Sequence, residues 1–313
     1  MRERILKIVS FFVILLVILM VLSHIFIPKN NSKKFGMHDV NANGILGEPD
    51  NTIDLLVVGD SESYTSIVPM KLWNDYGFTS YVCGTPEQLL TDSYEYVTRT
   101  SESQNLKMVI LEADSICCEM SVSKPITKIA KKMMPVFDYH NRWKDLNAND
   151  FFGKTEYTWT NDLKGYKYTD VIKPSKRQNY MKYTENEIEL SEVNKLYVKL
   201  INEFCKQNNI ELIIVSVPST KNWNYPKHNA VTKLAEQENI EFIDMNLLQD
   251  EIQIDWNNDT KDEGDHLNYS GAAKVTNYLG EYLNNRDILT DHREDEKYHS
   301  WAEAYDRCKN IIK

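Results

Sequence analysis

Short apolar runs that stop at glycine, proline or a polar residue recur along this chain, and helical segments separate them. The runs are Ile53–Val58, Thr79–Cys83, Lys107–Ala113, Glu211–Pro218 and Ile240–Met245. Each is too short for a buried helix and too uniformly apolar for a strand with one wet face, as expected of strands buried on both sides. Between and after them, helical patterning is read near Val68–Tyr76, Leu89–Ser103, Glu189–Gln207, His228–Glu238 and Gly271–Leu283. Strands alternating with helices predict a three-layer α/β/α domain around a mostly parallel central sheet. This domain is expected over residues 52–286. The regularity breaks at about 124–187, which is rich in aromatics, lysine and asparagine and reads as an insertion or cap over the sheet.

The N-terminus follows a different pattern. Ile8 to Ile27 contains no acid and no strong base, His24 being its only ionisable group. At a rise of about 1.5 Å per residue it matches a hydrocarbon core of about 30 Å. It ends without the small-residue pattern of a cleavage site. A transmembrane anchor is therefore expected over 8–27, after a short cytoplasmic leader (1–7) and before a polar juxtamembrane linker (28–51). Lysines and arginines lie on both sides of the span, so charge does not orient it. The brevity of the leader favours an extracytoplasmic main domain at the cell membrane. Residues 287–313 form a charged tail, read as a helix or a partly disordered segment. A net charge of −10 argues against nucleic-acid binding. The five cysteines lack metal-ligand or disulfide-framework spacing, so no metal or cofactor is expected.

Sites in such sheets form where strands end at their carboxyl edge. The stretch "LLVVGDSES" places Ser61 at one such end. A serine hydroxyl needs a base to become a nucleophile. Of seven histidines, His266 has the most suggestive context, "DTKDEGDHLNYSGAAKVT", an acid-rich loop before a helix start. Asp262, Glu263 and Asp265 can each orient its ring.

"VVGDSES" with "DHLNYSGAAKVT" far downstream resembles the SGNH/GDSL hydrolase superfamily, and the likeness covers about residues 53–283. One anchor followed by such a domain is similar to a subgroup working beside membrane-bound O-acyltransferases (MBOAT). That subgroup includes a teichoic-acid D-alanylation protein and alginate O-acetylation proteins. "PMKLWNDYGFTSYVCGTPEQLL" and "YHNRWKDL" also look like it. The resemblance implies Ser61 as nucleophile and His266 as base. The superfamily's acid usually stands three residues before the histidine, where this chain has Glu263. Asp262 is preferred with one residue of loop slack, and Asp265 and Glu263 remain alternatives. The backbone N–H groups of Ser61 and Gly84 are the implied oxyanion donors. The third donor, an asparagine in a G-x-N-D block, lacks a counterpart, and Gln88 is the substitute considered. His140, Arg142 and Asn268 are candidate substrate-binding residues, with Trp143, Trp159 or Trp223 available to stack on sugar rings.

Three functions follow as expectations. The first is an acyltransferase that esterifies an extracytoplasmic polysaccharide or teichoic-acid-like acceptor with acetyl, beside an MBOAT partner. The second is a carbohydrate O-acetyl esterase using the same triad. The third is a non-catalytic partner that binds polysaccharide or organises an acyltransferase complex.

Overall fold

The structure is a computed structural model and describes residues 1–177 and 179–312. Its centre is a five-stranded sheet, β1 (Leu55–Gly59), β2 (Ser80–Gly84), β3 (Met108–Glu112), β4 (Glu211–Ser216) and β5 (Glu241–Asp244), in the order β2-β1-β3-β4-β5. Every neighbouring pair is parallel, with Leu55 opposite both Ser80 and Met108. Alternate residues face opposite layers. Leu56, Val58, Val109, Leu111 and Ile214 enter one core, while Leu55, Val57, Ile110, Ile213 and Val215 enter the other. Both faces are covered, which gives the three-layer α/β/α architecture and explains the uninterrupted apolar runs.

Around the sheet and its additions lie α1 (Arg2–Phe26), α2 (Ser61–Ser66), α3 (Pro69–Tyr76), α4 (Leu90–Thr100), α5 (Ser123–Met133), α6 (Glu192–Gln207), α7 (Tyr225–Glu238), α8 (Tyr269–Asn284) and α9 (His299–Cys308). Local chemistry sets their ends. Pro69 opens α3 and Gly77, at φ 72°, closes it in the left-handed region. Ser191 caps α6, Asn224 caps α7 and Asn268 caps α8, each accepting a backbone N–H from the first turn.

The structure departs from the sequence reading in four places. The helix α1 starts at Arg2, so the expected leader belongs to it. Residues 28–51 are no simple linker: Lys29, Asn31 and Glu48 are buried, and Ala42 and Ile45 join the main core. The tail is likewise built in, with Trp301 of α9 fully buried against Trp73 of α3. Polar composition misled the reading in both segments, because their few apolar residues are the ones that pack.

The insertion also divides in two. Residues 118–152 form a collar of short helices and α5 packed beside the end of α1, rather than a cap over the sheet. Val136 N–H donates to Ser23 Oγ at 3.2 Å, and the Arg142 guanidinium donates to the Phe26 carbonyl. From Gly153 to Leu190 the chain runs as an extended strap, outside regular secondary structure among its described residues, with Tyr166 buried in the core.

Candidate active site

The order β2-β1-β3 reverses the direction of travel at β1, and such reversal opens a crevice at the carboxyl ends of the strands. Ser61 stands there, first residue of α2, directly after Gly59 and Asp60. Asp60 caps the helix: its Oδ1 accepts Glu62 N–H at 3.0 Å, and its carbonyl accepts Ser63 N–H at 3.2 Å. Gly59 has no room for a side chain, since a Cβ there would lie 2.4 Å from Cβ of Glu112.

His266 reaches the same edge from the loop between β5 and α8. Its Nε2 lies 2.8 Å from Ser61 Oγ, and its Nδ1 lies 2.7 Å from Asp262 Oδ2. The other oxygen of Asp262 accepts the His266 backbone N–H at 2.6 Å. Two consecutive left-handed residues, Glu263 (φ 67°) and Gly264 (φ 89°), turn the chain so that residues 262 and 266 face each other. This turn is why the carboxylate stands four residues before the histidine. Asp265 Oδ2 is 3.9 Å from Nδ1, and Asp265 Oδ1 instead accepts from Asn222 Nδ2 at 2.7 Å. Glu263 is exposed and lies 3.6 Å from Lys221 Nζ. Burial tends to raise the Asp262 carboxyl, but hydrogen bonds from the His266 ring and backbone and the attraction of His266 outweigh it, leaving it below the usual range.

The loop is held from below by the segment after β4. Ser219 Oγ donates to the Asp265 carbonyl at 2.7 Å, Thr220 N–H to the Gly264 carbonyl at 2.8 Å, and Lys221 Nζ to the Asp262 carbonyl at 2.7 Å. Asn222 Nδ2 bridges Asp265 Oδ1 and Glu62 Oε1, each at 2.7 Å. It thereby ties the histidine loop to the helix that carries Ser61. Sequence reasoning missed Asn222, Ser219 and Glu62. A search of the polar residues just beyond each strand's carboxyl end would have found them.

Gly84 ends β2 opposite Gly59 and packs against the first turn of α2. A Cβ at Gly84 would lie 2.4 Å from Ser63 Oγ and 3.1 Å from the Asp60 carbonyl. Gln88 is buried with its amide committed: Nε2 donates to the Cys83 carbonyl at 3.1 Å and to Ser93 Oγ at 3.0 Å. That pairing leaves it no hydrogen for a third oxyanion bond. Two further expectations, Arg142 and Asn268, are corrected by packing, while His140 stays open to solvent. Arg142 is buried, binding Asp150 at 2.7 Å as well as the end of α1. Asn268 is buried as the α8 cap, its amide donating to Asn258 and Val171 carbonyls at 2.7 and 3.2 Å. His140 is exposed on the collar, with Nδ1 3.3 Å from the Phe137 carbonyl. Of the tryptophans, Trp223 is buried and donates to Asp244 at 2.9 Å, and Trp159 is half-buried against Gly44. Trp143 is exposed on the collar.

Beneath Ser61 lies a group of buried carboxyls: Asp60, Glu62, Glu112 and Asp114. Burial pushes Asp60 up to about 6, helped by repulsion from Asp114. Burial likewise raises Glu62 and Glu112, with repulsion from Asp60 adding to both. Lys227 Nζ, 2.6 Å from Asp114, is the counter-charge. Donor atoms converge in two places, Asp60 with Asp114 and Cys118, and Glu62 with Asp265 and His266. Protein partners already engage Asp60, Asp114, Glu62, Asp265 and His266. A cavity of about 540 Å³ lies between the collar and α4; its wall includes Ile27 at the end of α1 and Thr85, directly after Gly84.

No protein-family model and no curated protein matches the chain. Among solved structures it is similar to the psychrotrophic esterase EstA from Pseudoalteromonas sp., at 10% identity over 74% of this chain and 97% of that one, TM-score 0.40. It is similar to a lipase/acylhydrolase from Enterococcus faecalis at 7% identity, over 75% and 97%, TM-score 0.40. The acetyl xylan esterase AlAXEase matches at 12% identity over 75% and 100%, TM-score 0.39. Likeness at this level leaves the chemistry to be read from the site itself.

Proposed function

We propose that this protein is a serine acyl-transfer enzyme of the SGNH type in which Ser61 is the nucleophile, His266 the base and Asp262 the acid. The observation that carries this reading is the relay Asp262–His266–Ser61, with contacts of 2.7 and 2.8 Å. Asp262 holds the Nδ1–H tautomer, leaving the Nε2 lone pair facing the Ser61 hydroxyl. Ser61 Oγ attacks an ester carbonyl as its proton passes to Nε2. The developing oxyanion is stabilised by the backbone N–H groups of Ser61 and Gly84. His266 returns the proton to the leaving oxygen, and an acyl-serine remains. A second hydroxyl, deprotonated at Nε2, then takes the acyl group.

Within this reading the acceptor is a hydroxyl of an extracytoplasmic polysaccharide or teichoic-acid-like polymer, acetyl is the group moved, and an MBOAT-type membrane protein supplies it. Three things support this finer reading. The chain carries the sequence blocks described above. The last turn of α1 is seated in the domain through Ser23, with Lys29 and Asn31 buried just beyond it, which favours a retained anchor over a cleaved signal. The cavity between collar and α4 is walled by residues from both the end of α1 and the Gly84 loop. Ser61 and His266 are only partly buried, so water also has access, and this favours ester hydrolysis as the second reading.

The full-length chain in detergent, incubated with p-nitrophenyl acetate, tests the chemistry. Wild type is expected to turn over and to label at Ser61 with a fluorophosphonate; Ser61→Ala is expected to do neither. Absence of both turnover and labelling in wild type would sink the catalytic reading. Adding a soluble oligosaccharide then separates transfer from hydrolysis by the appearance of O-acetylated sugar.

A further inference from the structure

A surface helix normally turns its polar side to water and its apolar side to the core. The helix α5, "SKPITKIAKKM", is mounted the other way round. Lys128 hydrogen-bonds Asp92 and lies 3.0 Å from Glu95, while Lys131 lies 2.8 Å from Asp138, so these lysines face the domain. The opposite side presents Val122, Ile126, Ile129 and Met133 at helical spacing, with exposures of 67%, 64%, 56% and 71%. Scattered exposed apolar residues are ordinary, but a continuous stripe on an inverted helix marks an apolar partner.

The position of the stripe identifies that partner. The collar that carries α5 is bonded to the last turn of α1 through Ser23 and Phe26. Upstream of that turn, from Ile5 to Met20, α1 is apolar and almost wholly exposed. Once α1 crosses a bilayer, the collar stands at its exit, within a turn of the end of the apolar span. The flanking residues suit that level. Lys124 and Lys132 are exposed on the polar side of α5, and Phe137, Trp143, Phe151 and Phe152 are exposed elsewhere on the collar. Aromatic rings and long cationic side chains concentrate at the boundary between headgroups and acyl chains. The helix carries four lysines and no acid in a chain of net charge −10. Lys128 and Lys131 are neutralised by Asp92, Glu95 and Asp138, and the exposed Lys124 and Lys132 are the charges of this helix that can meet an anionic surface.

We infer that the collar is a membrane-docking element: the stripe Val122, Ile126, Ile129 and Met133 lies in the interfacial layer of the bilayer crossed by α1, with the exposed Lys124 and Lys132 at headgroup level. The bilayer is the one apolar phase whose presence at this height follows from α1 itself. Docking there gives the domain a second attachment and a fixed tilt, so that the Ser61 crevice is held at a set distance from the lipid surface. This inference rests on α1 as a membrane anchor, and it does not depend on the chemistry at Ser61.

The test uses full-length protein reconstituted alone into vesicles of phosphatidylcholine and phosphatidylglycerol. An NBD fluorophore is attached at Val13→Cys in α1, Ile129→Cys in α5, or the exposed Lys199→Cys in α6, outside the collar, with labelling of native cysteines subtracted using the parent chain. Lipids carrying a nitroxide near the head of the acyl chain serve as quencher. The Ile129 probe is expected to be quenched about twofold or more and to emit at shorter wavelength, while the Lys199 probe is unchanged. A Met133→Cys probe should repeat the result and guards against distortion by one substitution. If the Val13 probe is quenched but both collar probes behave like Lys199, the stripe faces water or a protein partner and the inference is wrong. An unquenched Val13 probe removes its premise and overturns it as well.

Discussion

Asp262→Asn is the substitution that most directly interrogates the site. Asp262 receives two donors at once, the His266 ring N–H on Oδ2 at 2.7 Å and the His266 backbone N–H on Oδ1 at 2.6 Å. A carboxylate accepts on both oxygens, whereas an amide has one acceptor and must turn its NH2 toward the other donor. If the NH2 faces the ring, Nδ1 must become the acceptor, the proton moves to Nε2, and that nitrogen can no longer take one from Ser61. If it faces the backbone, the backbone N–H loses its partner and the charge behind the imidazolium is still gone. Losing the correct tautomer costs about 10⁴ in kcat in the serine proteases that share this arrangement. With partial exposure allowing some reorganisation, we expect a loss of about 10³ to 10⁴, equivalent to roughly 4–5.5 kcal/mol of transition-state stabilisation. Asp265→Asn keeps an acceptor for Asn222 and loses no hydrogen bond to the ring, so its loss should stay below about tenfold. Glu263→Gln should be silent within about twofold. The assay is steady-state p-nitrophenyl acetate hydrolysis by the three variants, with melting temperatures to confirm folding. The reasoning fails if folded Asp262→Asn keeps more than about a tenth of wild-type kcat, or if Asp265→Asn loses as much.

Other perturbations probe the surroundings. Gly84→Ala places a methyl group 2.4 Å from Ser63 Oγ and 3.1 Å from the Asp60 carbonyl; displacing the turn that carries Ser61 should lower kcat about tenfold or more, with little change in KM. Asp60 is raised to about 6, so the folded state binds more protons than the unfolded one as pH rises from about 4 through 6, and stability falls across that window. Asp60→Asn keeps a capping side chain while removing this penalty; its melting temperature should exceed that of wild type by a few degrees at pH about 8, and the gain should vanish near pH 4. Lys164→Met breaks the buried pair with Glu48, whose contact is 2.7 Å, and strands a carboxylate; unfolding by urea should show a loss of about 3–5 kcal/mol, and an unchanged midpoint would refute the assignment.

The sheet was legible because burial on both faces leaves an unmistakable trace: β1, β3 and β4 read as apolar runs within two residues of their ends. Ser61 and His266 were legible because strand-end placement and an acidic loop are local features. The carboxylate required geometry, since the left-handed pair Glu263–Gly264 decides which of three acids meets the ring. Asn222 was hidden for a related reason. Its importance comes from bridging Glu62 and Asp265, residues 160 and 43 positions away, and no local pattern marks such a contact. The tail holds a helix, α9, as one of the two readings had it, but the packing of residues 28–51 and of α9 into the core was not legible, because their composition is polar while the decisive side chains, Ile45 and Trp301, are few.

The burial of Trp301 bears on how this chain comes into being. Lys164 Nζ lies 4.7 Å from the Trp301 ring centre while paired with Glu48, so the segment after α1, the strap and α9 meet at one point. A chain emerging from its N-terminus cannot close that point until α9 arrives. During synthesis α1 is made first, but the main core stays open along one side until α9 is delivered. Removing α9 would therefore leave a domain whose core has never been sealed.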